Sequence, residues 1–480
     1  MAQELAAAIE HSETPLPQVG RSLQDGRRVF AHRGAVGGSD RVELAKALRG
    51  LRGVQASTPD LVMMCPGQGS QYPGMGAGLY VSDPVYKHWI DAGAETLRPL
   101  LDEDITRFLT GESLSDQDAA RALRETRLTQ PALVLVQYAT AKMWQARGVV
   151  ADRYLGHSVG EFTVAALTGI LSFEDALRAI AARGRVMQDQ VPGDMLSVRM
   201  ALDDLKPLLG DVDLAASNAP NLQVVAGAPD AVAALAKTLT AKDIAVAELH
   251  TSHAFHSAMM DPVVPALEAA FADLTLCTPD RPVISAVTGQ PLTDAQATDT
   301  EFWARQARQP VLFQAALQAV PTDNPVCLLE LGAGRTLSAF AAQVLPRGSH
   351  HGIFQSLPDH ARSVRDEDMV AATTGQLWAA GRSVDWSVLP GRGAQKCSLP
   401  GYAFQRSRHW IDPIENRAGD TVEPTVIPQQ NIVSAPLVSP MTFAVSEPAM
   451  TVPTPTDAAP RLPRLQAELV EMLTEMSGED

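Results

Sequence analysis

The sequence predicts an α/β protein: a large α/β subdomain interrupted by a smaller α+β insertion, with a short α/β module before it and an extended tail after it. Three observations lead there. An apolar run at LVMMCPGQGSQ ends in a Gly-rich turn and is followed by further strand-to-helix units; the rhythm changes to short strands between about 194 and 250; and Pro recurs without periodicity from Asp412 onward. The 480 residues exceed one ordinary domain, and 45% hydrophobic with 20% charged residues suits a chain that buries a large core.

Residues 1–57 read as short helices around a basic, Gly-containing segment, SLQDGRRVFAHRGAVGG, followed by the amphipathic stretch RVELAKALRGLRG. The large subdomain takes 58–193 and 257–380. Its strands are read at LVMMC, at the start of ALVLVQYATAKMWQARG (132–148), around 152–169, at PVISAVTG (282–289) and at VCLLELGAG (326–334). The insertion, 194–256, runs MLSVRMA, DDLKPLLG, VDLAASN, LQVVAGA, PDAVAALAKTLTAKD and IAVAEL. That is strand, helix, strand, strand, helix, strand, the split βαβ order of a ferredoxin-like subdomain. A connecting segment at 381–412 leads to a Pro-rich flexible linker at 413–463, expected to be disordered. Helical spacing returns over 464–480 through Leu465, Leu469, Met472, Leu473 and Met476.

Composition removes several function classes. A formal net charge of -16 without a basic stripe argues against nucleic acid, whose phosphates need clustered Lys and Arg. Cys65, Cys277, Cys327 and Cys397 lie far apart with no CxxC pair, so buried reduced thiols are expected and neither a disulfide framework nor a metal site. The N-terminus lacks the apolar core of a signal peptide, and no apolar run reaches the roughly 18 residues of a membrane span. A cytoplasmic protein without membrane contact is expected.

The chemistry concentrates at Gly156-His157-Ser158-Val159-Gly160, between an apolar strand end and a helical run. This is GxSxG in the setting of a nucleophile elbow, where flanking glycines let backbone pack around a strained Ser, and it points to an α/β-hydrolase-like large subdomain. A serine hydroxyl needs a base within hydrogen-bond reach. HTSHAFHSAMMDP offers His250, His253 and His256, among which spacing does not choose, and no Asp stands out as a third member. A tetrahedral intermediate also needs two converging N–H donors, one from the residue after the Ser, Val159, and one from a loop such as Pro66-Gly67-Gln68-Gly69-Ser70-Gln71.

PGQGSQYPGMG, TQPAL (129–133), GHSVGEF, RGRVMQ (183–188), SNAPNLQVVAG (217–227) and HAFHS (253–257) stand in the order seen in malonyl-CoA:acyl carrier protein transacylases. More closely, the chain resembles the acyltransferase domain of modular type I polyketide synthases over roughly residues 20–412. The resemblance implies Ser158 as acylated nucleophile, His256 as its base, and Gln68 and Val159 as oxyanion-hole donors. It implies that Arg183 binds the free carboxylate of an extender unit, since a guanidinium fork selects dicarboxylic acyl groups by paired charge-assisted hydrogen bonds. His157 and Asn218 are supporting positions, Asn218 near the active-site His. The family orients that His by a carbonyl near a GPG-like turn, which here reads Gly332-Ala333-Gly334.

SLQDGRRVFAHR resembles the linker from a ketosynthase, and LPGYAFQRSRHWID (399–412) a segment wrapping back on it. The implied donor is malonyl-CoA and the implied acceptor the phosphopantetheine of an acyl carrier protein, with no bound cofactor. His253, Phe255 and Val159 resemble malonyl-selective domains, Phe255 filling space that a Ser would leave for a methyl group. The tail ELVEMLTEMSGED resembles the opening helix of a carrier domain, as in a fragment of a synthase. Two other readings share these residues: a serine hydrolase or thioesterase using the same elbow, and a non-catalytic docking segment.

Overall fold

Strand β1 (Asp60–Cys65) is buried from Leu61 onward, and β2 (Arg153–Gly156) from Tyr154 onward. Such strands lie inside a sheet buried on both faces, which is why their sequences run apolar without alternation. The computed structural model describes residues 1–404 apart from 111–115, 250, 361–363 and 390, and Met1–Gln405 forms one unit. His250, the Pro-rich stretch 413–463 and the helical spacing over 464–480 lie outside the described residues, as does most of 399–412.

Along the chain, β3 (Asp194–Val198), β4 (Asp213–Ala219), β5 (Leu222–Gly227) and β6 (Val246–Glu248) form a small sheet, after which β7 (Val283–Ser285), β8 (Gln290–Pro291), β9 (Val326–Glu330) and β10 (His350–Gln355) rejoin the large one. The large sheet has the order β8-β7-β2-β1-β9-β10 and is parallel except at the β7–β8 edge. The small sheet has the order β4-β5-β3-β6 and is antiparallel throughout, with helix Pro229–Thr240 giving Val232, Leu235 and Leu239 to its core. Two irregularities interrupt β4, at Leu214/Ala216 and Ser217/Ala219. They turn this edge towards Val311, which accepts from Ser217 N at 2.8 Å and donates to Ala215 O at 2.9 Å.

One secondary-structure expectation fails. The run 132–136, read as a strand, lies inside the helix α1 (Thr126–Ala146), in which every residue from Leu128 to Ala141 is buried. A helix buried on all sides shows no apolar stripe, and a short apolar run looks the same in either element. Two further helices frame the site, α2 (Gly160–Leu167) and α3 (Phe173–Gln188).

Helices Ala2–Glu10, Leu16–Asp25 and Arg41–Gly50 enclose a small core of Leu5, Ile9, Val19 and Leu48, onto which Cys397 and Leu399 pack. Cys397 N donates to Ser22 Oγ at 2.7 Å, and the Phe30 and Tyr402 rings lie 5.2 Å apart. The described end of the chain therefore returns to the N-terminal module. Cys65 and Cys327 are buried, but Cys277 is exposed, contrary to expectation. Its segment runs over the surface, tied back by Cys277 N to Ile170 O and Asp280 N to Thr168 O. No described helix is long and apolar enough to cross a membrane.

Candidate active site

Chain direction reverses sharply between β2 and α2, and Ser158 stands at the bend with φ of 51°, in the left-handed region that non-glycine residues rarely occupy. Two glycines make the bend possible. A Cβ at Gly156 would meet Glu161 N at 2.5 Å, and one at Gly160 would meet Cys65 O at 2.0 Å. His157 N to Cys65 O (2.9 Å) and Glu161 N to Ser158 O (3.0 Å) close the turn, at the carboxyl ends of β1 and β2 where open α/β sheets carry their sites.

Of the three candidate bases, His256 meets the nucleophile: its Nε2 lies 2.7 Å from Ser158 Oγ. It too has a positive φ, 59°, and is buried. Its Nδ1 lies 2.7 Å from the carbonyl oxygen of Gln309. A carbonyl only accepts, so Nδ1 carries the proton and the Nε2 lone pair faces the Ser158 hydroxyl. Burial, reinforced by the positive charge of Arg183, pulls the His256 pKa down to about 3, so the imidazole is neutral and available as a base. His253 is occupied elsewhere, with Nε2 donating to Gln190 O at 3.0 Å and Nδ1 2.7 Å from Ser252 Oγ.

The orienting carbonyl is thus not in the Gly332-Ala333-Gly334 turn. Those glycines, at φ 73° and 90°, adjoin Gln137 and Ser70 instead and border the PGQGSQ loop. Gln309 was missed because its role belongs to its backbone. The one cue is Pro310, which contributes no N–H of its own and biases Gln309 towards extended backbone.

The backbone N–H groups of Gln68 and Val159 find no acceptor among the described residues. The loop carrying Gln68 lies against the nucleophile, since a Cβ on Gly67 would come within 3.6 Å of Ser158 Cβ. Fully buried Gln137 fixes its height. Nε2 donates to Pro66 O at 2.8 Å, while Oε1 accepts from Thr163 Oγ1 of α2 at 2.8 Å, joining the two segments that bear the free N–H groups.

Arg183 projects from α3 and is 1% exposed, far from the solvated charge its Ala-rich helix suggests. Its Nη1 donates to Gln130 Oε1 at 2.7 Å and its Nη2 to Gln306 Oε1 at 3.1 Å, leaving a buried Nε without a partner. Burial lowers its pKa to about 10, partly countered by the Glu161 carboxylate, so the guanidinium stays charged. Glu161 is itself buried and accepts from Ser285 Oγ (2.9 Å), Ala286 N (2.9 Å) and Gln306 Nε2 (3.1 Å). Sequence reasoning placed Gln130 in a motif without a role and missed Gln306, Glu161 and Ser285. Ser285, between Ile284 and Ala286, and Glu161, before Phe162, carried the signal of a polar residue beside apolar ones, whereas Gln306, after Arg305, carried none.

Asn218, at the second β4 irregularity, lies with Oδ1 2.9 Å from Nε2 of His157, so it supports the residue beside the nucleophile rather than contacting His256. His157 also packs on the Phe313 ring, centroids 5.3 Å apart. Phe255 is buried, its ring 5.9 Å from that of His253. Among the described residues no three His, Cys, Asp or Glu side chains converge as a metal site requires. The arrangement supplies an activated serine, a neutral base, two free N–H donors and a buried cation.

The family model of the acyl transferase domain matches residues 62–376. The chain is 34% identical over 366 residues to a phenolphthiocerol/phthiocerol polyketide synthase of Mycobacterium tuberculosis (strain CDC 1551 / Oshkosh), covering 76% of this chain. It spans 24% of that protein's length. Among solved structures, the acyl transferase domain of ZmaA is similar with a TM-score of 0.76 at 26% identity, covering 83% of this chain and 95% of that one. The acyl transferase domain of SpnD, solved in complex with 2-(pent-4-yn-1-yl)malonyl, gives 0.72 at 32% identity, covering 79% and 92%.

Proposed function

Because the chain belongs to the acyl transferase domain family, we propose that it moves a malonyl group from coenzyme A to the phosphopantetheine thiol of an acyl carrier protein, through an ester on Ser158. The observation that carries this reading is the 2.7 Å Ser158–His256 contact, with the buried charge of Arg183 acting on the same imidazole. Ser158 Oγ attacks the thioester carbonyl and its proton passes to His256 Nε2. The oxyanion takes the free N–H groups of Gln68 and Val159. Collapse expels the coenzyme A sulfur, which leaves with the His256 proton. The carrier thiol then gives its proton to His256, attacks the ester carbonyl and returns Ser158 to its hydroxyl form.

Arg183 holds the free carboxylate of the malonyl group, for which its orphaned Nε and the donors now on Gln130 and Gln306 are the available partners. The malonyl derivative bound by the SpnD domain supports this donor class. Phe255, with His253 and Val159, favours malonyl over methylmalonyl by filling the α-substituent space; one methyl is worth about 1–3 kcal/mol, so discrimination is incomplete. The N-terminal module, with Cys397, Leu399 and Tyr402 folded back on it, is the attachment to a ketosynthase domain of a larger cytoplasmic polyketide synthase. The boundaries at 193/194 and 256/257 separate the large subdomain from its ferredoxin-like insertion.

The test is intact-protein mass spectrometry after incubation with malonyl-, methylmalonyl- and acetyl-CoA together. A malonyl adduct is expected on the wild type and none on Ser158→Ala. Equal labelling of both proteins sinks the scheme. A methylmalonyl-to-malonyl ratio unmoved by Phe255→Ser removes that side chain from the selectivity.

A further inference from the structure

Gln306 closes the short helix Thr300–Arg305 and is 1% exposed, and its amide meets three groups of the site at once. Oε1 accepts from Arg183 Nη2 at 3.1 Å; Nε2 donates to the carbonyl of Ser158 at 2.7 Å and to Glu161 Oε2 at 3.1 Å. The amide has only one satisfying orientation. Turned over, its NH2 would face the guanidinium, which only donates, and its oxygen would face a carbonyl and a carboxylate, which only accept. The same turn holds the base, through Gln309 O to His256 Nδ1 and Ala307 O from His256 N.

Arg183 and Ser158 are thus joined by one side chain of fixed polarity, and Ser158 is a strained residue whose carbonyl that side chain anchors. Resting on the acyl-transfer reading above, we infer that Gln306 is a positioning residue that couples carboxylate binding at Arg183 to the placement of Ser158. A substrate carboxylate drawing on the Arg183 donors acts on the hydrogen bond that Gln306 accepts, and through the rigid amide on the one it gives to the nucleophile's backbone. Selectivity for carboxylated acyl groups then lies in the rate of acylation as well as in binding. Glu161 is the counter-charge, kept off the guanidinium by the intervening amide so that the fork stays available to substrate.

Initial rates of Ser158 acylation by malonyl-CoA and by acetyl-CoA, measured on the full chain for wild type, Gln306→Leu and Gln306→Glu, test this. Leu releases both ends of the link. Glu keeps the size but lays its own carboxylate on Arg183 and faces the Ser158 carbonyl and Glu161 without a donor. In both variants the malonyl-to-acetyl ratio of kcat/KM is expected to fall ~10-fold or more, with part of the Leu effect in kcat. A side chain that only shapes the fold lowers both donors alike, so an unmoved ratio overturns the coupling. Should the Leu variant fail to fold, the isosteric Glu variant carries the comparison. A wild type that takes no malonyl group overturns the acyl-transfer reading, and the coupling with it; a malonylated wild type with unmoved ratios overturns the coupling alone.

Discussion

The elbow at 156–160 and the turn at 306–309 hold Ser158 and His256, the two halves of the proposed catalytic pair, by opposite means. At the elbow, function rests on what side chains must not be: Gly156 and Gly160 face backbone so closely that a methyl group has no room. At the turn, it rests on what the backbone offers, since Gln309 and Ala307 serve His256 through carbonyl oxygens that any residue carries. A packing constraint is therefore brittle to substitution where a carbonyl contact is tolerant. Gln306 is the exception within the turn, because there the amide itself makes the contacts.

Substitution should expose the contrast most strongly at the elbow. Gly160→Ala drives a Cβ to within 2.0 Å of Cys65 O unless the strand end moves. The expected result is a loss of ~100-fold or more in kcat/KM, because displacing a nucleophile by about 1 Å costs that much, with ~2–3 kcal/mol of stability. A variant within tenfold of wild type by steady-state assay would show that the elbow yields easily.

The base is probed by pH. In the proposed mechanism only neutral His256 accepts the Ser158 proton, so activity is expected to be lost as pH falls through its pKa in the folded protein. Burial, with help from Arg183, has pulled that pKa down to about 3. The kcat/KM profile of the free enzyme should therefore stay level from pH 8 to below the ~6.5 of an ordinary His. An inflection near 6.5 would mean that water reaches the imidazole. The smallest effect belongs to Gln309→Ala. It keeps the carbonyl 2.7 Å from His256 Nδ1, and kcat/KM should change by less than ~3-fold. A larger loss, with the melting temperature unchanged, would give the Gln309 side chain a role of its own.

The parts of the site visible in the sequence are those where residue type is the function. Ser158 between its glycines, the Gly-rich turn at 66–71 and the family motif around Arg183 are of this kind. The alternating strands and helices of 194–248 were also legible, because their apolar runs are short and bounded by turn residues, although β5 is buried throughout, and helix Pro229–Thr240 keeps an amphipathic period. Helix α1 was not, since burial on every side erased its period. Neither the choice of His256 over His253 nor the Gln309 carbonyl was legible from spacing, because both contacts close across more than fifty positions of chain.

By itself, the sequence determined that a strained serine follows an inner strand and that glycines make room for it, since local sterics decide which backbone conformations are open there. It determined too that a cation lies on a helix within the same domain. Tertiary structure alone decided that this cation is buried, that its fork rests on two glutamine amides, and that one of those amides also grips the nucleophile. The physical reason is that burying a charge or an amide is costly unless each polar atom finds a partner, and only the folded chain brings those partners together.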